Sequence, residues 1–168
     1  MGTSITTQVQ ILTENGWEDV HDAIFTWYGE VTHRPFSEQN YGLFAFLADV
    51  RNYACLPVLS EPRGLPPVEK AAEEKDYFGW GTETAEWSAH EDNYSATWYL
   101  VSELLEFDYD TEFENRRNDM DGDNPLPSGS GKRMTIREYL KPKYFEDLDI
   151  LKQLGEPDKT RVVISFAS

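Results

Sequence analysis

The closing run Arg161-Val162-Val163-Ile164-Ser165-Phe166 is the feature that most constrains the fold. It is rich in β-branched and aromatic residues and carries apolar side chains at both odd and even positions, so it reads as a strand with two apolar faces. Such a strand belongs inside a sheet, with a neighbour on each side. A companion lies at the other end of the chain. Ile5 to Leu12 alternates, with Ile5, Val9 and Ile11 separated by Thr and Gln, and Asn15-Gly16 supplies a two-residue hairpin turn before a return strand at Trp17-Glu18-Asp19-Val20. Ile24-Phe25-Thr26-Trp27-Tyr28 is a further short strand candidate.

Three helical patterns supply the cover for such a sheet. Ser37 is placed to cap a helix whose apolar positions Leu43, Phe44, Leu47 and Val50 recur at three- and four-residue spacing, ending near Arg51. Ser95 or Thr97 is placed to cap a second helix, near 97–107, with Trp98, Val101, Leu104 and Leu105 as its stripe. Thr135-Ile136-Arg137-Glu138 has the spacing of a capping box. Tyr144, Leu148 and Leu151 mark a helix near 143–154 that Gly155 ends before Pro157. Val68 to Lys75 is a polar helix candidate, followed by the aromatic and glycine cluster Tyr77-Phe78-Gly79-Trp80-Gly81.

The expected fold is α+β, a single domain over residues 1–168. It has a mixed or antiparallel sheet with an N-terminal hairpin and a C-terminal strand, covered by three or four helices. With hydrophobic residues at 39% and aromatics at 14%, a chain of this length has enough apolar material for one core. Leu47, Trp98, Leu104, Leu148 and Ile164 are its expected members, and Cys55 reads as a small core residue. Leu56 to Pro67, with four prolines and one glycine, excludes a regular element and reads as a loop of fixed shape. Residues 119–132 read as a flexible exposed loop.

Charge narrows the function. The chain carries 31 acids against 15 Lys and Arg, a net charge of −16, which disfavours direct binding to nucleic acid, whose affinity comes largely from neutralised phosphates. Two readings of the acids survive: a well-solvated surface, or a DNA-like surface that occupies a host DNA-binding protein. No run of 18 apolar residues exists, and the Met1-Gly2-Thr3-Ser4 start lacks the pattern of a secretion signal, so a cytoplasmic protein that does not enter a membrane is expected.

Motifs for particular chemistries fail on their spacing. Counting from Asp119, a calcium loop needs Gly where Asn124 stands and Glu where Ser130 stands. Gly129-Ser130-Gly131-Lys132 lacks the earlier glycine of a phosphate loop, because Leu126 occupies its place, and Arg133 replaces the following Ser or Thr. His21, His33 and His90 stand in no metal-ligand spacing, and neither a hydrolase elbow nor a dinucleotide fingerprint is present. No metal, cofactor or catalytic residue is assigned. What remains is a set of polar residues at element ends: Asn40, Arg51, Asn52, Arg63, Gly64, Ser95 and Thr97. Arg63 leads, since Pro62 and Gly64 fix its loop and hold a guanidinium ready for phosphate or carboxylate. The competing reading pairs Arg63 with one of the many acids and has Arg51 and Asn52 close the first helix.

These residues coincide with longer motifs. They are Asn40-Tyr41-Gly42-Leu43-Phe44-Ala45-Phe46-Leu47-Ala48-Asp49-Val50-Arg51-Asn52, Pro62 to Pro66 and Ser95-Ala96-Thr97-Trp98. Tyr144-Phe145-Glu146 to Leu154-Gly155 and Arg161 to Phe166 complete the set. In them the chain resembles a family of small phage and prophage proteins over nearly its whole length. Family members have Arg before Asn-Tyr and His before Ser-x-Ser-Trp, where this chain has Gln39 and Tyr94. The loss of that His favours binding over catalysis. The resemblance implies a phage setting and, by analogy of setting, a counter-defence protein in the host cytoplasm that sequesters a nucleotide immune signal, either a cyclic nucleotide or an ADP-ribose derivative. Bases would stack on Trp98 or a Tyr, and Arg51 and Arg63 would grip phosphate. The alternatives are an acidic inhibitor or DNA mimic of a host defence protein, and an enzyme that cleaves the signal. The expected partner is thus a small nucleotide or a host protein, with homo-oligomerisation left open.

Overall fold

In a computed structural model, residues 2–66 and 94–168 are described; the helix expected at Val68 to Lys75, the cluster at Tyr77 to Gly81, and His90 lie outside them. The central element is the C-terminal strand. A four-stranded antiparallel sheet runs β2 (Gly16–Asp19), β1 (Ser4–Thr13), β8 (Thr160–Ala167), β5 (Tyr94–Leu100), so β8 is flanked on both sides as its composition demands. β1 pairs with β8 from Ser4↔Ala167 to Ile11↔Thr160. A second ribbon joins β3 (Phe25–Trp27) to β4 (Glu30–Thr32), and a third joins β6 (Glu112–Asn115) to β7 (Lys132–Thr135). The helices are α1 (Tyr41–Ala48), α2 (Val101–Glu106), α3 (Ile136–Leu140) and α4 (Pro142–Leu154), giving the α+β class. Among the described residues no helix is long and apolar enough to cross a membrane.

The first hairpin turns one residue earlier than Asn15-Gly16. Thr13 pairs with Gly16, the turn is Glu14-Asn15, and Gly16 takes the positive φ of 100° that follows such a turn. Thr13 Oγ1 accepts from Asn15 N at 3.1 Å and donates to Gly16 O at 3.1 Å.

α1 fills the core. Every residue from Gly42 to Ala48 is buried, so this short helix lacks the polar face of an amphipathic one. Its cap is Asn40, not Ser37: Asn40 Oδ1 accepts from Leu43 N at 3.2 Å, whereas Ser37 Oγ donates to Arg34 O at 3.2 Å. It ends at Ala48 because Asp49 turns left-handed at φ 57°, short of the expected Arg51. On the sheet, Val9, Val162, Ile164 and Phe166 face the core with Tyr99, and Phe44 meets Phe166 at 5.3 Å between ring centres.

Two expectations fail on periodicity. The helix placed near 97–107 begins only at Val101, since Tyr94–Leu100 is a strand: Thr97, Trp98 and Tyr99 pair with Ile164, Val163 and Val162. The period of two sends Thr97 and Tyr99 inward and leaves Trp98 half-buried. The period also sorts β8, whose second face carries Arg161, Val163 and Ser165 rather than an apolar set. Leu47, Leu104, Leu148 and Ile164 are core residues as expected, while Cys55 is exposed between buried Ala54 and Leu56. The Thr135 capping box forms and opens α3, and Lys141 separates α3 from α4.

Candidate functional site

The polar residues singled out in the sequence fall into three separate places. The first is the loop after α1. Asn52 Nδ2 donates to Leu56 O and Asp49 Oδ1 while its Oδ1 accepts from Leu56 N, a closed set at 2.8–2.9 Å. Beside it Arg51 Nε donates to Thr3 Oγ1 and Nη1 to Tyr53 Oη, each at 2.8 Å, and its guanidinium lies 5.8 Å from the Tyr41 ring centre. The Tyr53 bond holds the Arg51 guanidinium pKa above its ordinary value.

The second place is the start and middle of β5. Arg63 Nη1 donates to Glu103 Oε2 at 2.8 Å and to Trp98 O at 3.2 Å, and its Cζ lies 4.6 Å from the Tyr99 ring centre and 5.4 Å from that of Trp98. Its backbone N–H donates to Thr97 Oγ1, and Gly64, at φ 80°, donates to Ala96 O. Ser95 sits at φ 54° in the bulge between Tyr94 and Thr97. Arg63 thus pins the proline loop to the β5–α2 junction. Arg63→Ala is expected to lower the melting temperature by about 2–4 °C, since a partly screened ion pair and a ring contact together contribute about 1 kcal/mol. An unchanged melting curve would refute the pinning role. Trp98 also lies 5.9 Å from the Cζ of Arg161, which is 4.1 Å from Trp17 on its other flank. A relay across three strands orients that guanidinium: Arg161 Nε donates to Gln10 Oε1, and Gln10 Nε2 to Asp19 Oδ1, both at 2.8 Å.

The third place holds Asn40. Its Nδ2 donates to Leu140 O at 3.2 Å, tying the start of α1 to the end of α3, and the two helices approach so closely that a Cβ on Gly42 would lie 2.8 Å from Tyr139 Cε1. Beside this joint opens a cleft of about 540 Å3, within the size of a small-ligand site. Three tyrosines line it: Tyr28 from the β3–β4 turn, Tyr41 and Tyr139. Three cations line it too, Arg117, Lys141 and Lys143, against the carboxylates of Glu38 and Glu138. Among the described residues that local balance is the reverse of the chain's.

The cleft cations differ in what they touch. Lys143 Nζ donates to Asp147 Oδ1 at 2.7 Å and to Thr26 Oγ1 at 3.0 Å. Arg117 pairs with exposed Asp119 at 3.3 Å, a contact water weakens. The exposed Lys141 ammonium has no ion pair or hydrogen bond among the described residues. Burial pushes the Tyr139 phenol up from its ordinary pKa, opposed by Arg117, so at neutral pH it keeps its proton as a donor. The described lining includes no His, Cys or Ser to act as base or nucleophile. Ring faces, phenols and ammonium groups are equipment for holding a planar anion.

Of this cleft, sequence reasoning reached only Asn40. Tyr28, Arg117, Tyr139, Lys141 and Lys143 come from three distant segments, at 28, 117 and 139–143, and were missed. The one local signal was the lysine before Pro142, where helical backbone is disfavoured and one helix must give way to the next. Comparison with known protein families, with curated proteins and with solved structures finds no match, so the case for function stands on the geometry of the cleft.

Proposed function

We propose that the protein binds a small phosphate-bearing nucleotide in the cleft beside Asn40 and withholds it. In the phage setting that the motifs resemble, this makes it a counter-defence protein that sequesters a host nucleotide signal. The observation that carries the reading is the meeting of three tyrosine rings and three cations in one open cleft of a protein whose net charge is −16. Rings accept bases of any identity, and a cation with no partner is available to phosphate. The lining favours capture over cleavage, because among the described residues it offers no His, Cys or Ser to serve as base or nucleophile.

The test is a melting series with cyclic mono- and dinucleotides, ADP-ribose and cyclic ADP-ribose. The melting temperature should climb with the concentration of at least one of them, because a ligand that binds only the folded state stabilises it. Chromatography after denaturation should return that compound intact. A changed product would move the protein to the enzymes, and a flat response to the whole panel would remove the nucleotide reading.

A second reading draws on the acid excess together with the β3–β4 ribbon, where Trp27, Tyr28 and Val31 are 42%, 66% and 71% exposed. An acidic surface with an aromatic tip suits a basic host protein. Such binding should weaken steeply as salt screens the charges, which sequestration of a small ligand in the cleft should do far less.

A further inference from the structure

Two residues that line the cleft share a feature the ligand reading does not require. Tyr28 occupies the first position of the two-residue turn between β3 and β4 at φ 47°, followed by Gly29 at φ 86°. Turns with two positive φ values favour Asn, Asp or Gly, and a bulky side chain there is strained. Little local packing offsets it: Tyr28 is 66% exposed, and its ring meets only that of Trp27, itself 42% exposed, edge-on at 5.2 Å among the described residues. Lys141, at φ 72° and ψ 163°, lies outside even the left-handed helical region, in territory that belongs almost wholly to glycine. Its side chain is exposed and its ammonium has no partner among the described residues. The neighbouring cations Lys143 and Arg117, by contrast, already face carboxylates.

We propose that Tyr28 and Lys141 are the ring and the charge that hold a ligand carrying both an aromatic base and a phosphate. The backbone strain at the two positions is what places these side chains over the cleft. The inference rests on the reading of the cleft as a ligand site and adds which residues grip and what they grip. A structural residue in such a conformation would be expected to bury area or close an ion pair in return. Tyr28 and Lys141 do neither, so the gain is sought in a bound state. Tyr28 supplies a face for the base, and Lys141, in the same lining as Tyr139 and Asn40, supplies a point charge for the phosphate. Asn or Gly would be the more stable choice at Tyr28, and Gly at Lys141.

The prediction is therefore a gain of stability coupled to a loss of binding. Tyr28→Asn, Lys141→Gly and Lys141→Arg are made in the full chain. Melting is followed without ligand, and binding is followed by calorimetry with two probes: ADP-ribose, which has base and phosphates, and pyrophosphate, which has phosphates alone. Tyr28→Asn and Lys141→Gly should each raise the melting temperature by about 2–4 °C. Each should weaken ADP-ribose about tenfold or more. Pyrophosphate should be lost with Lys141→Gly, retained with Lys141→Arg and indifferent to Tyr28→Asn. Wild-type affinity for ADP-ribose in either of the first two variants overturns the assignment, as does a lower melting temperature in both, which would make the side chains structural. If the wild type takes pyrophosphate through Lys141 but no nucleotide, the nucleotide reading and the role of Tyr28 fall while Lys141 stands as an anion contact. Binding of neither probe overturns the assignment of Tyr28 and Lys141, and a flat response to the whole nucleotide panel removes the reading it rests on.

Discussion

Phe46→Ala is expected to destabilise the fold by about 3–5 kcal/mol, the range for a large aromatic removed from a packed core. Phe46 sits at the middle of α1, fully buried, and its ring lies 5.1 Å from Phe107, 5.7 Å from Tyr109 and 6.1 Å from Tyr144. The cluster around it cannot collapse cheaply. The Tyr109 hydroxyl donates to Leu104 O, and the Tyr109 and Tyr144 hydroxyls are 2.5 Å apart, so both rings are fixed by polar contacts as well as by packing. Burial raises the Tyr109 pKa to about 12 and that of Tyr144 well above its ordinary value, so both stay neutral while the core is closed. A fixed wall leaves a cavity, and a cavity adds to the lost transfer energy. For a chain of this size the cost corresponds to a fall in melting temperature of about 6–20 °C. Urea unfolding gives the direct figure, and a loss below about 1 kcal/mol would mean that the ring is not the hub of the core.

How far these elements could be read from the chain depends on whether the deciding interaction was local. The first hairpin was legible because Ile5, Val9 and Ile11 alternate ahead of a turn, placed one residue late in the sequence; β8 was legible because its run of β-branched residues favours a paired strand. The helical stripe Val101, Leu104 and Leu105 was also real, but extending it back to Trp98 failed. Thr97 to Tyr99 take their conformation from pairing with Ile164 to Val162, some 65 residues away, and no local propensity reports that pairing. Ser37 and Asn40 are both good caps; Ser37 turns back to Arg34 O, while Asn40 caps α1 and also reaches Leu140 O, from a helix a hundred residues on. The cleft was less legible still. Tyr28 and Tyr139 are ordinary tyrosines in the sequence and become ring faces only where a hairpin turn and a helix joint meet. Tertiary placement likewise sets Arg63, the most suggestive residue of the sequence, against Glu103 in a surface ion pair at the β5–α2 junction.

Lys143→Met should be the more informative substitution, because its effect depends on pH. Asp147 lies one helical turn from Lys143 on α4 with its side chain 2% exposed; Oδ1 accepts from Lys143 Nζ and Oδ2 from Phe36 N at 2.8 Å. Burial raises the Asp147 carboxyl pKa above its ordinary value. The bonds from Lys143 and Phe36 and the charge of Lys143 pull it back, and Glu38 pushes it up again. A folded-state pKa above the unfolded one means that the native protein holds the proton more tightly. The stability linked to this carboxyl is therefore complete below the unfolded pKa and is lost as pH rises through the folded one. Without Lys143 the carboxylate is left buried with one N–H for support, so that loss deepens and reaches higher pH. At pH 7 the variant should be less stable by about 3 kcal/mol, the lower end for a broken buried pair because the Lys143 side chain is itself 26% exposed. As pH falls through the raised folded-state pKa and the carboxyl takes up its proton, most of that difference should vanish. Asp147→Asn removes the charge instead and should flatten the pH dependence, leaving Lys143 to water. Urea unfolding of the three proteins at pH 4, 5.5 and 7 decides it. An equal loss for Lys143→Met at both ends would assign the cost to the packing of its aliphatic stem and its bond to Thr26, and the stranded charge would play no part.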